Sequence, residues 1–210
     1  MISRKHRFVF FHIPRTGGTS INKALSPFCE IAPNSSNPNP AHHPHSNVLQ
    51  IMEELGPDFD DFFKFAIVRN PWDRLVSIYL WGLQIRKMPQ GVENTWLSYS
   101  GFPEWVGNEF VPQYNAHASK KDRWGWESCT DFLSVDGNLK VDFIGRFENL
   151  SQEWSKICSS IGLDVELELE HWWGTNRDHY STYYNDEIVD VVRSLFSKDI
   201  EHFGYKFERA

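Results

Sequence analysis

Phe8-Val9-Phe10-Phe11-His12-Ile13-Pro14-Arg15-Thr16-Gly17-Gly18-Thr19-Ser20 sets an apolar run of β type against a glycine turn rich in hydroxyls and amides. Residues 7–11 read as a buried strand. Two adjacent glycines after it allow φ > 0 and a close approach of ligand to backbone. A helix follows, and its first N–H groups, with the positive end of the helix dipole behind them, point at whatever sits in the turn. That arrangement suits phosphate or sulfate. A nucleotide-triphosphate loop would need G-x-x-x-x-G-K-[ST], with lysine on the outer phosphates and a hydroxyl on magnesium. Here Gly18 is followed by Thr19-Ser20 and the strong cation lies upstream at Arg15.

Working outward, Phe62-Phe63-Lys64-Phe65-Ala66-Ile67-Val68 is a second strand-like run, ending in Arg69-Asn70-Pro71-Trp72-Asp73-Arg74. Pro71 fits the first turn of a helix, where its missing N–H costs nothing. Leu75, Val76, Tyr79, Leu80 and Leu83 recur at helical spacing and predict one buried face. Arg69 at the strand end and Ser77 two turns into the helix can both address one phosphate, the arginine through its two-pronged guanidinium. The alternative is that Arg69 and Arg74 pair with Asp73 and solvent.

Four segments then have to be taken together: His12 to Ser20, Val68 to Ser77, Val141-Asp142-Phe143-Ile144-Gly145-Arg146-Phe147-Glu148-Asn149-Leu150, and the closing Asp199-Ile200-Glu201-His202-Phe203-Gly204-Tyr205. In this order they resemble the carbohydrate-type, family 2-like sulfotransferases, over residues 7 to 207. The resemblance implies an α/β fold with a central parallel sheet flanked by helices, P-loop-like, as a single domain over 1–210. It implies 3'-phosphoadenosine-5'-phosphosulfate as sulfuryl donor, 3',5'-adenosine bisphosphate as product, and no metal. By that resemblance Arg15, Thr16, Gly17, Gly18, Thr19 and Ser20 hold the 5'-phosphosulfate, and Arg69 with Ser77 the 3'-phosphate. Arg15 stands where the family usually has lysine. Arginine neutralises a leaving phosphate but cannot hand it a proton near neutral pH, so Arg15 is a catalytic candidate for charge stabilisation alone.

Sulfuryl transfer between two oxygens in line, by analogy with phosphoryl transfer, asks for positioning and charge stabilisation. It also needs a base for the acceptor hydroxyl, for which histidine is suited near pH 7. Among nine histidines, His42-His43-Pro44-His45 follows a Pro/Asn/Ser-rich loop (33–40) and precedes an expected helix over Ser46–Leu55. The resemblance favours His45 as base, with His43 as its His-x-His companion. Metal binding is the competing reading of the cluster, but no Cys-x-x-Cys or His-x-x-x-His spacing backs it. His12 reads as a strand-end residue that shapes the loop. Near the C-terminus, Thr175 to Tyr184 carries Arg177, by resemblance an additional phosphate contact in a loop closing over the nucleotide, or else part of a tyrosine-rich connection under the last helix. Ile188, Val191, Val192, Leu195 and Phe196 make a helical core stripe running toward Phe203.

The chain has 210 residues, 40% hydrophobic and 15% aromatic, which excludes disorder and supports an independent core. Its net charge of −7 argues against coating nucleic acid, so the anion site must be local. No apolar run approaches the roughly 20 residues of a membrane span. With Cys29, Cys129 and Cys158 scattered, a reducing, cytoplasmic setting is the expectation; set beside the family it resembles, the short unanchored chain looks like a bacterial relative. The acceptor is expected to be a saccharide or other small molecule. Trp124-Gly125-Trp126, within a possible acceptor wall over 88–134, are the aromatic candidates for it. Two other classes stay open: a nucleotide-triphosphate enzyme with a degenerate loop, and a nucleotide-binding module without catalysis.

Overall fold

The computed structural model describes residues 1–85, 98–116, 127–168 and 177–210. Along the chain the strands are β1 (Ile2–Ser3), β2 (Phe8–Phe11), β3 (Phe63–Val68), β4 (Ser134–Val135), β5 (Asn138–Leu139) and β6 (Phe143–Arg146). The α-helices are α1 (Gly18–Leu25), α2 (Val48–Leu55), α3 (Pro71–Ile85), α4 (Phe102–Trp105), α5 (Val111–Ala116), α6 (Cys129–Phe132), α7 (Leu150–Ile161), α8 (Asp186–Leu195) and α9 (Ser197–Phe203). They form two compact units, one of residues 1–69 with 129–170 and one of residues 70–128 with 171–210.

The first unit is α/β. Its four-stranded sheet has the order β1-β2-β3-β6, parallel across β2, β3 and β6, with β1 antiparallel at the edge. The strand expected over 7–11 begins one residue later, because Arg7 takes a positive φ of 53° and turns the chain into it. All four residues of β2 are buried, as a parallel strand covered on both faces requires. Phe8 and Phe10 of β2 with Phe65 and Ile67 of β3 form one face. Onto it pack Ile21 and Leu25 of α1 and Leu150, Trp154, Ile157, Cys158 and Ile161 of α7, each set spaced to lie on one side of its helix. Each fully buried phenylalanine contributes about 2 kcal/mol.

Helix α2 starts at Val48, two residues later than its apolar pattern suggests, because Asn47 caps it. Asn47 Oδ1 accepts the Gln50 N–H at 3.1 Å, and Gln50 Oε1 accepts the Asn47 N–H at 2.9 Å. Ser46 is thereby left in the preceding loop, its Oγ 2.6 Å from the carbonyl oxygens of both Pro40 and His43. One carboxylate ties down the rest of that loop: Glu54 accepts from Asn39 Nδ2 at 2.9 Å and from Arg4 Nη2 at 2.8 Å. The Asn39 contact leads in holding the Glu54 pKa below its usual value.

The second unit is helical. Pro71 opens α3, and Asn70 Oδ1 accepts the Trp72 N–H at 3.1 Å. Between α4 and α5 the chain is wound as π-helix over Val106–Phe110. The predicted stripe 188–196 lies on α8, capped by Asn185, and the chain bends at Phe196 before α9 carries on to Phe203. Trp72 donates through Nε1 to the Val189 carbonyl at 3.1 Å, and Tyr184 donates its hydroxyl to the Trp72 carbonyl at 2.9 Å. Among the described residues no helix is long and apolar enough to cross a membrane.

Candidate active site

Parallel pairing brings the carboxyl ends of β2, β3 and β6 to one edge of the sheet, Phe11 beside Ala66 and Val68 beside Arg146. Ligand sites of open α/β sheets lie outside that edge. The chain leaves β2 there through His12 and turns at Pro14–Gly17. Gly17 has φ 84° and Arg15 φ 69°. For glycine this is free, whereas for arginine the left-handed region costs about 1 kcal/mol.

Three contacts hold the turn. Arg69, at the end of β3, donates through Nη1 to the Arg15 carbonyl at 3.0 Å. Thr16 donates its hydroxyl to the Ile13 carbonyl at 2.9 Å. The ring of Phe147 lies 4.1 Å below the Arg69 guanidinium carbon. Gly17 is the N-cap of α1, so no side chain caps the helix start, and its first turn carries no acidic residue. Gly18 has a different reason to be glycine: a Cβ there would stand 1.9 Å from Cδ2 of His12. The result is an uncapped helix N-terminus with two arginines attached to the same turn, an arrangement whose charge and N–H donors suit an anion.

The histidines differ sharply in their bonding. His45 donates from Nδ1 to the His12 carbonyl at 2.9 Å, which leaves Nε2 as its proton-accepting nitrogen. His43 uses Nδ1 to accept the His45 backbone N–H at 3.3 Å, so its ring proton sits on Nε2. His42 lies 3.7 Å from the Glu54 carboxylate. His12 is buried; the Asn22 amide nitrogen donates to its Nδ1 at 2.9 Å, and its ring centre is 4.5 Å from that of His45. Of the cluster, His45 therefore presents a basic nitrogen from a ring anchored at the strand edge. Among the described residues no group of three His, Cys, Asp or Glu side chains could hold a metal ion. Burial pushes the Cys29 thiol up to about 11, which makes it a poor nucleophile.

Burial, and after it the neighbouring His45 and the positive charges of the N-terminus and Arg15, lower the His12 pKa well below 6.5. The unfolded chain binds a proton near pH 6.5 that the folded chain refuses, so stability falls as pH drops through that value. The loss sets in below pH 7 and grows as the pH falls toward 5. Urea unfolding over this range is expected to show a steeper loss in the wild type than in His12→Asn, which keeps the part due to the buried N-terminal amine, its pKa lowered to about 5. Parallel curves for the two proteins would contradict it.

Arg15, Thr16, Gly17, Gly18, Ser20, Arg69, His43 and His45 all belong to the first unit, with Thr19 exposed at the start of α1. Ser77, buried on α3, and Arg177 belong to the second. There Arg177 pairs through Nη2 with Asp73. Arg74 donates to the Glu127 carbonyl at 2.9 Å. Asn22 and Phe147 were not singled out by sequence. Asn22 had one signal, a polar side chain beside the buried Ile21; Phe147 had its place in the segment 141–150, with no role attached. Trp124 and Trp126 lie outside the described residues.

A family model described as "Sulfotransferase family" matches residues 1–206. An uncharacterized protein of Archaeoglobus fulgidus is 32% identical over 114 residues, which cover 53% of this chain and 77% of that protein. No solved structure matches. The match over nearly the whole chain agrees with an anion turn at the carboxyl edge of a mostly parallel sheet: the chain belongs to the sulfotransferase family, and its chemistry is sulfuryl transfer.

Proposed function

We propose that this chain transfers the sulfuryl group of 3'-phosphoadenosine-5'-phosphosulfate to a hydroxyl of a saccharide, with His45 as general base. The observation that carries the reading is the anchoring of His45 through Nδ1 to the peptide oxygen of His12, the residue from which the anion turn springs. The turn suits the donor: two positive-φ positions, a helix start without side-chain cap or acid, and Arg69 bound to the turn itself.

When bound, the donor supplies an electron-poor SO3 group on a phosphate leaving group. Arg15 and the first N–H groups of α1 hold the 5' end and meet the charge that grows on the phosphate oxygen. Arg69 holds the 3'-phosphate through its two-pronged guanidinium. Nε2 of His45 takes the hydroxyl proton as the acceptor oxygen bonds to sulfur, and the electrons of the broken S–O bond stay on the phosphate. Arginine at position 15 keeps its proton, so the leaving group departs stabilised by charge without being protonated.

The test is a pair of measurements. A ligand of the native state raises stability by RT ln(1 + [L]/Kd), about 2.7 kcal/mol at a hundredfold excess over Kd. 3',5'-Adenosine bisphosphate is expected to raise the thermal midpoint and ATP with magnesium to leave it unmoved. Incubation with the phosphosulfate donor and an oligosaccharide panel is expected to add one sulfuryl mass to an acceptor. Stabilisation by ATP-magnesium alone would replace this reading with a nucleotide-triphosphate one.

A further inference from the structure

His45 sits in a loop 33 residues beyond His12, and the direction of its ring depends on an acceptor that side-chain chemistry alone does not provide. That acceptor is the peptide oxygen of His12. A carbonyl at the end of a strand is only as well placed as the residue that bears it, and His12 is unusually constrained. Its Nδ1 is clasped by the Asn22 amide from α1 at 2.9 Å. Its ring stacks on Phe10, with centres 5.8 Å apart and planes inclined by 13°. Its Cδ2–Nε2 edge fills the space that any side chain at Gly18 would need. The sheet, the first helix and the anion turn thus all register on one imidazole.

Two imidazoles with centres 4.5 Å apart do not both carry charge readily. His12 is the buried one, at 7% exposure, and Asn22 already occupies its Nδ1. The division of labour follows: one ring stays neutral and braces, the other accepts the proton.

We propose that His12 is the positioning residue of the His45 base: its peptide oxygen keeps the proton of His45 on Nδ1, and its clasped ring fixes where that oxygen lies. The proposal deepens the reading of His45 as base and rests on it. A base held in the wrong tautomer presents N–H where it should present a lone pair, so a loose brace lowers turnover and leaves donor affinity alone.

The experiment uses the full chain and two variants. His12→Phe keeps a ring and loses the clasp; Asn22→Ala keeps the ring and its fit against Gly18, and guards against misfolding of the first. Nitrogen-15 imidazole spectra, recorded without donor, are expected to show His45 as a single Nδ1–H tautomer in the wild type and as a mixture in both variants. Sulfate release from 3'-phosphoadenosine-5'-phosphosulfate to water is expected to fall about 10-fold in each, with affinity for 3',5'-adenosine bisphosphate unchanged. Added imidazole is expected to restore His45→Ala and neither brace variant. A single unaltered His45 tautomer in both variants overturns the proposal. So does rescue of His12→Phe with none of His45→Ala, which makes His12 the base. If His45→Ala releases sulfate as fast as the wild type, the reading of His45 as base fails, while the tautomer spectra still decide the role of His12.

Discussion

Alanine at position 69 is expected to weaken binding of 3',5'-adenosine bisphosphate about 100-fold, since truncating one side of a buried, hydrogen-bonded charge contact costs 2 kcal/mol or more. Arg69 is 8% exposed, lies over Phe147 and holds the Arg15 carbonyl at 3.0 Å. Its loss removes a cation from the proposed 3'-phosphate site and the contact that keeps Arg15 in the left-handed region. Arg69→Lys is expected to recover only part of the affinity, because a single ammonium cannot serve the carbonyl and a phosphate from two fixed prongs. Titration calorimetry reads both variants. An Arg69→Ala dissociation constant within about 3-fold of the wild type, under 1 kcal/mol, would remove Arg69 from the binding site.

His45→Ala is expected to behave in the opposite way, with the product nucleotide bound as before and turnover lowered by about 10²-fold or more. The two residues belong to different halves of the reaction: Arg69 meets charge present in donor and product alike, whereas Nε2 of His45 matters only while the acceptor proton moves. Turnover from initial rates of 3',5'-adenosine bisphosphate formation with a saccharide acceptor, beside calorimetry on the same samples, separates the two effects. Loss of nucleotide affinity in His45→Ala equal to that in Arg69→Ala would end this separation.

Both expectations depend on features of unequal legibility. The β2–turn–α1 motif could be read from residues 8–20 because every cue is local: a run of apolar residues, two glycines at a turn and hydroxyls where the helix begins. The common sheet for β2 and β3 was equally open to reading, since two buried strands separated by a helix leave few ways to pair other than in parallel. Boundaries shifted where a side chain intervened, as when the Asn47–Gln50 capping box left Ser46 outside α2. The reason for Gly18 was not legible. Sequence reading assigns it to turn conformation, and the structure to the ring of His12.

From its sequence alone this chain declares a strand-to-helix anion turn, a second strand ending in arginine and a histidine-bearing loop ahead of α2, because each rests on propensities and spacings within about ten residues. Tertiary structure alone decided that Arg69 grips the backbone of Arg15, that Phe147 supports it, that His45 takes its orientation from His12 and that Arg177 meets Asp73. These are contacts across 33 to 104 residues. Those of the first unit exist because parallel pairing forces the carboxyl ends of distant strands to one edge, and all of them because buried polar groups must find partners.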